Sequence, residues 1–319
     1  MGEPPGRPHL VLTGCTATGK KEVGLEVARR LGAEIVGMDS IKVYRGLSIG
    51  AAAAEPAAPG DPRLHLVGIA DPTRPFSVGR WVDAARDAAQ EIERRGARVL
   101  FLGGTPLYLR ALLRGFFQGP PAQPALRERL ESEAAEAGVD ALHERLRTID
   151  PDAAERIFRG DLKRICRALE VFEVTGRTIT ALQREGTERP FDRELRAVGL
   201  RVAPELHRRR IEERVDRMIA RGLVGEVRDL LARGALAGEA ANAIGYRETA
   251  AHLRGELSLE AMREAIVVDT RQLVRKQNKW FRRFPEVTWI DRTAGTTNDE
   301  LVRRVVEAFE RPASRDADA

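Results

Sequence analysis

The stretch Gly14 to Lys20, read in place as LVLTGCTATGKKE, limits what this chain can fold into more than any other. An apolar run, His9 to Leu12, ends in a turn of small residues, and a helical pattern with Val23, Val27 and Leu31 at four-residue steps follows. Strand, glycine-rich loop and helix in that order form a phosphate cradle. The glycines let backbone N–H groups converge on oxygens, the helix N-terminus adds partial positive charge, and a lysine reaches the outer phosphate. Gly14, Cys15, Thr16, Ala17, Thr18, Gly19, Lys20 and Lys21 are therefore the predicted binding stretch, and the ligand is a diphosphate or triphosphate. The same string alone also describes an ordinary turn before a helix; the flanking strand and helix favour the cradle. One position departs from the P-loop pattern: the Ser or Thr whose hydroxyl ligates Mg²⁺ is here Lys21, which leaves the metal's holder unassigned.

A chain of 319 residues, 43% hydrophobic, can bury a sizeable core, as one large domain with an insertion or as two smaller domains. A net charge of +5 and a pI near 9.5 favour an acidic partner such as nucleic acid, although many soluble enzymes are as basic. Two cysteines, Cys15 and Cys166, suggest neither a disulfide framework nor a thiolate metal site, and point to the reducing cytoplasm. With no apolar run of about 18 residues and a Pro/Gly-rich start, nothing in the sequence predicts a membrane segment.

Ala33 to Met38 reads as a second strand ending at Asp39-Ser40. In doubly wound sheets the carboxyl ends of strands line the ligand crevice, so Asp39 is expected to face the same space as Lys20; on local grounds it equally caps the next turn. Further on, DSIKVYRGLSIG (39–50), GGTPLYL (103–109), DLKRICRALEVFEVTG (161–176), RVDRM (214–218), AIGYRE (243–248) and TRQLVRKQNKWFRRF (270–284) follow TGCTATGK in order. From about Leu10 to Asp291 this series resembles the tRNA dimethylallyltransferase family, the tRNA isopentenyltransferases. The resemblance implies an α/β P-loop NTPase-like core with a parallel sheet, a loop of the ATP-binding type and an all-α insertion domain. It implies transfer of a dimethylallyl group from dimethylallyl diphosphate to the exocyclic N6 amine of the adenosine 3′ to the anticodon, in tRNAs reading codons that begin with U. Mg²⁺ is the implied cofactor, the anticodon stem-loop of tRNA the implied partner, and a cytoplasmic monomer the implied state.

That chemistry needs a base, because an exocyclic amine is a poor nucleophile, and a site that stabilises the departing diphosphate. The resemblance makes Asp39 the general base, places Thr105 at the end of the Val99–Leu102 strand to hold the base or the amine, and sets Arg214 on the diphosphate. It assigns tRNA contacts to Asp39, Ser40, Ile41, Lys42 and Thr105, and on the insertion to Arg127, Lys163, Arg164 and Arg167. Without it, Thr105 is a turn residue in a Gly-Gly-Thr-Pro bend and the insertion cations are solvated surface charge.

Departures from the family pattern gather on the diphosphate side. Ala51 to Ala54 replace a Thr-Ala-Lys-Pro run, so that Ala51 and Ala53 lack a hydroxyl and a positive charge; Leu64 and Gly68 replace a His and an Asp, and Pro106 a Gly; on the insertion, Gly160 replaces an Asn before Asp161, which weakens the expected cap of that helix. The expected division is residues 1–117 (core), 118–190 (helical tRNA-binding insertion), 191–310 (core with basic C-terminal helices) and 311–319 (disordered tail). Within the core, Arg80 to Arg95 is expected as a helix with Trp81 inside, and Arg214, Arg217 and Arg221 as one basic stripe. A helix from about Leu259 to Phe284 is expected to pack Trp280 and Phe281, with a strand at Val287–Ile290 and a helix near Glu300 to Glu310 after it. Two other readings fit parts of the pattern: a P-loop kinase of a small metabolite, and a diverged relative that binds tRNA without transfer.

Overall fold

The structure, a computed structural model, describes residues 6–52, 60–117, 119–185 and 189–311. Ala53 and residues 312–319 of the expected tail lie outside them.

The first strand, β1 (His9–Gly14), is buried along its whole length, which is why it reads as a continuous apolar run and not an alternating one. It feeds α1 (Lys20–Leu31), β2 (Ala33–Met38), the short β3 (Leu64–His65), α2 (Val78–Arg94), β4 (Arg98–Gly103) and α3 (Pro106–Arg114). The insertion follows as α4 (Pro124–Ala137), α5 (Val139–Ile149), α6 (Pro151–Arg156), α7 (Leu162–Thr175) and α8 (Ile179–Glu185). After it come β5 (Leu195–Val202), α9 (Pro204–Ala220), α10 (Leu223–Ala232), α11 (Gly238–Ala241), α12 (Tyr246–Leu253), α13 (Leu259–Phe281), β6 (Val287–Arg292) and α14 (Asn298–Glu310).

The six strands form one sheet in the order β3-β2-β4-β1-β5-β6, and every pairing is parallel. Thr13 and Met38 both register with Gly103, so the loops after β1, β2 and β4 leave the same edge of the sheet. That edge is where Lys20, Asp39 and Thr105 can meet. On one face, Val23 and Val27 of α1 and Val302, Val305 and Phe309 of α14 pack with Leu10, Leu12, Leu100 and Leu200. Elsewhere in the core, Trp81 of α2 is fully buried, donates its indole N–H to Gly37 O at 2.9 Å and stacks on Tyr108 at 4.3 Å.

The chain divides into two compact units, Met1–Leu113 with Phe191–Ala319, and Arg114–Pro190. The second begins at Arg114, where the sequence suggested residue 118. Its centre is Leu130, Leu142, Leu146, Ile165, Cys166 and Leu169. Three local readings change. β3 was not foreseen, because two residues carry no periodicity. α13 ends at Phe281, three residues before Phe284, and Trp280 is only half-buried, with the Arg283 guanidinium 5.6 Å from its ring centre. The cap of α7 does not depend on residue 160, because Asp161 itself accepts the Arg164 N–H at 3.2 Å.

Candidate active site

The turn between β1 and α1 has the cradle's backbone. Gly14 and Gly19 have φ of 143° and 88°, and Ala17 takes a left-handed φ of 61° with only a methyl to accommodate. Its outward carbonyls are held from other elements. Lys20 Nζ and Thr18 Oγ1 both donate to Cys15 O, at 2.8 and 3.0 Å. His207 Nε2 lies 2.8 Å from Thr16 O, and Arg210 Nε donates to Ala17 O at 2.9 Å. Gln277, nearly buried on α13, accepts the Thr16 N–H at 3.0 Å and donates to Gly104 O at 2.8 Å, tying the first loop to the one after β4. Cys15 donates to Asn278 Oδ1 at 3.2 Å, and burial pushes its thiol up to about 11, so it is an unreactive packing group.

Opposite the cradle, Asp39 Oδ1 accepts the amides of Ile41 (3.0 Å) and Lys42 (3.2 Å). The Ser40 amide donates to Thr105 Oγ1 at 3.1 Å. Asp39 thus shapes the following turn, and it also lines a cavity of about 380 Å³ with Lys20, Lys42, Thr105 and Arg214. The far wall of that cavity is apolar, from Val215, Met218, Ile244, Ile266 and Leu273. One cavity therefore offers a carboxylate, several cations and a hydrophobic surface.

A basin of about 170 Å³ shares Lys20, Lys42 and Arg214 with it and adds Lys21, Arg210, Arg217 and Arg221. Crowding of like charge shows in the titrating groups. Burial, then the nearby charges of Lys42 and Arg214, bring the Lys20 ammonium down to about 8, with Asp39 opposing. Burial likewise lowers Lys42 and Arg214. Buried cations gathered in this way make the hollow a place suited to an anion.

The turn that leads into Ala51 is held by Glu226 and Tyr246. Glu226 accepts the amides of Ser48 (3.1 Å), Ile49 (2.7 Å) and Gly50 (3.1 Å) and the Tyr246 hydroxyl (2.8 Å), while Tyr246 Oη accepts the Ala51 amide at 3.1 Å. Gly50 has to be glycine, since a Cβ there would stand 2.5 Å from the Tyr246 ring. Pro106 opens α3, where a missing N–H costs nothing. Gly68 has a φ of 64° and donates to Lys42 O at 2.9 Å.

On the insertion, Arg127 and Arg167 are engaged internally. Arg127 clasps both oxygens of the fully buried Glu170 at 2.9 Å, and Arg167 binds the same carboxylate at 2.5 Å and Pro120 O at 2.9 Å. Lys163 and Arg164 are exposed.

The residues do not fit a P-loop magnesium site. The ligating hydroxyl is replaced by Lys21, the Thr18 hydroxyl is buried and spent on Cys15 O, and among the described residues the lining of both hollows holds Asp39 and Glu22 as acids against seven cations. Among the described residues no three His, Cys, Asp or Glu side chains converge.

Gln277, Glu226, His207 and Arg210 were not assigned from the sequence. Gln277 left a readable signal, a polar residue on the stripe Ile266, Thr270, Val274, Gln277 and Phe281 that faces inward.

Residues 42–284 match the family model described as IPP transferase. A tRNA dimethylallyltransferase of Geobacter metallireducens is 45% identical over 287 residues, 88% of this chain and 92% of that protein. One of Thermomicrobium roseum is 42% identical over 301 residues, 94% and 91%. Among solved structures, the full-length tRNA isopentenylpyrophosphate transferase of Bacillus halodurans is 32% identical with a TM-score of 0.68, covering 96% of this chain and 97% of that one.

Proposed function

This chain belongs to the tRNA dimethylallyltransferase family, and from that premise we propose that it transfers a dimethylallyl group from its diphosphate to the N6 amine of the adenosine 3′ to the anticodon, in tRNAs reading codons that begin with U. The observation that carries the reading is the single cavity lined by Lys20, Asp39, Thr105 and Arg214 with an apolar wall beside them. The diphosphate sits on the loop amides of Ala17 to Lys20, with Lys20, Lys42 and Arg214 around it, and the five-carbon chain lies along Met218, Ile244 and Leu273. The adenine leaves its stack to reach the other end, against Asp39 and Thr105. N6 attacks the allylic C1 as the C1–O bond breaks; Asp39 takes the amine proton, and the cations receive the charge growing on the leaving diphosphate. Thr105 and the Ile41 and Lys42 amides hold Asp39 and its turn in place.

On the insertion, Lys163 and Arg164 are the assigned tRNA contacts with exposed side chains, while Arg127 and Arg167 support Glu170 beneath them in the same unit. The reading has the enzyme working as a cytoplasmic monomer; both thiols are free and buried, and among the described residues no helix is long and apolar enough to cross a membrane.

The test is incubation with dimethylallyl diphosphate and an unmodified anticodon stem-loop, then mass analysis of the nucleosides. A gain of one dimethylallyl group on adenosine is the expected result. No gain while the stem-loop binds would leave a tRNA-binding relative without transfer, the reading favoured by the altered Lys21, Ala51 and Gly68.

A further inference from the structure

Lys21 is the second residue of α1, in the place from which P-loops reach a metal with a hydroxyl. Its side chain lines the small basin beside Lys20, together with Lys42, Arg210, Arg214 and Arg217. The charge of Lys21 contributes to lowering the Lys42 ammonium, so the two nitrogens stand within electrostatic reach of one another. A lysine there as mere solvated helix surface would point away from the loop, and this one lines its hollow.

The oxygens left for a divalent cation are few. Thr18 Oγ1 is turned onto Cys15 O, Asp39 gives Oδ1 to two amides and keeps Oδ2 alone, and among the described residues Glu22 is the acid of the basin. A diphosphate carries about three negative charges near neutral pH, a load that Lys20, Lys42, Arg214 and a fourth cation can meet without metal. A doubly charged ion entering the same space would be repelled by each of them.

We propose that in this chain the Lys21 ammonium takes the place of the metal at the cradle, so that the diphosphate is bound without a divalent cation. The proposal rests on the reading in which the bound group is a diphosphate. It also gives one altered neighbour a sense: with the metal's role gone, a hydroxyl at position 51, which lines the cavity, has no cation to serve.

The experiment is calorimetric titration of inorganic pyrophosphate into the wild-type protein, Lys21→Thr and Lys21→Arg, each with EDTA and with Mg²⁺, correcting free pyrophosphate for its magnesium complex. Circular dichroism establishes that the variants are folded. Wild type should bind with affinities within about threefold in the two conditions, and Lys21→Arg should behave alike. Lys21→Thr should bind roughly tenfold more weakly in EDTA, as for one lost charge-assisted contact, and recover with Mg²⁺. Wild-type binding that collapses in EDTA, or Lys21→Thr binding in EDTA as tightly as wild type, overturns the proposal. Metal-free pyrophosphate binding without any prenyl transfer to the stem-loop leaves the proposal standing and removes the transferase reading; transfer alongside strictly metal-dependent binding does the reverse.

Discussion

Asp39 and Thr105 are joined through one backbone amide: the Ser40 N–H donates to Thr105 Oγ1 at 3.1 Å, and the next two amides turn onto Asp39 Oδ1. The strand end of β2 and the strand end of β4 are thereby locked together at the point where both face the cavity. The amides take one carboxylate oxygen, and among the described residues Oδ2 has no hydrogen-bond partner, which suits a base aimed at an incoming amine.

Asp39→Asn keeps an acceptor for the two amides and removes the base. Turnover should fall by about 10²-fold or more while stem-loop affinity stays close to wild type. Thr105→Val, which releases the Ser40 amide, should lower kcat more mildly, by about tenfold. Near-full turnover in Asp39→Asn, measured by single-turnover prenyl transfer, would show that the base is another group.

Lys20 makes the site pH-sensitive in a defined direction. With its ammonium brought down to about 8, the empty site loses that charge as pH rises through 8, and an anion binds the charged form better. Pyrophosphate affinity should therefore weaken as pH rises from about 7 to about 9.5, approaching tenfold per unit above the free-site value. Lys20→Arg, whose guanidinium stays charged across that range, should bind less well but with a flat profile. A wild-type profile as flat as the variant's would remove Lys20 from the anion's contacts.

The β1–loop–α1 cradle and five of the six strands could be read from the sequence because the central strands are largely apolar runs, the edge strand β6 keeps Val287, Trp289 and Ile290, and Gly14 and Gly19 mark the turn. Asp39 and Thr105 could be read because each directly follows such a run or its glycines. Glu226 could not. Its partners are amides some 176–178 positions away, and a glutamate on an amphipathic helix looks like solvated surface until the fold brings residues 48–50 onto it. The arginines of the insertion could be read as charge but not as structure, since nothing local distinguishes the buried Glu170 that Arg127 clasps from the exposed acids around it.

Glu226 holds the rim segment through three amides and the Tyr246 hydroxyl. Glu226→Ala should destabilise the protein by about 1–3 kcal/mol in urea unfolding, as expected when backbone donors lose their acceptor. Because Gly50 and Ala51 line the cavity, KM for dimethylallyl diphosphate should also rise. Glu226→Gln keeps a carbonyl oxygen and should recover much of both. Loss of stability in Glu226→Ala with unchanged KM would confine the residue to packing.

On the insertion, arginines bound to a buried carboxylate and side chains exposed at the start of α7 separate by position. Arg127 pairs with a carboxylate of 0% side-chain exposure, so Arg127→Ala removes a partner from a buried charge and should cost about 1–3 kcal/mol, below the roughly 3–5 kcal/mol of fully buried pairs because the arginine itself is half-exposed. Lys163→Ala and Arg164→Ala alter exposed side chains at the start of α7 and should leave the melting temperature nearly unchanged. If they meet tRNA phosphates, each should weaken stem-loop binding and reduce the slope of log affinity against log salt by about 0.7–0.9. Unfolding scans and salt-dependent binding on the same three variants decide the matter. Full tRNA affinity and an unchanged salt slope in both α7 variants would reduce those side chains to solvated surface, whereas an Arg127→Ala protein that melts like wild type would mean that Arg167 and the Gln123 amide satisfy Glu170 unaided.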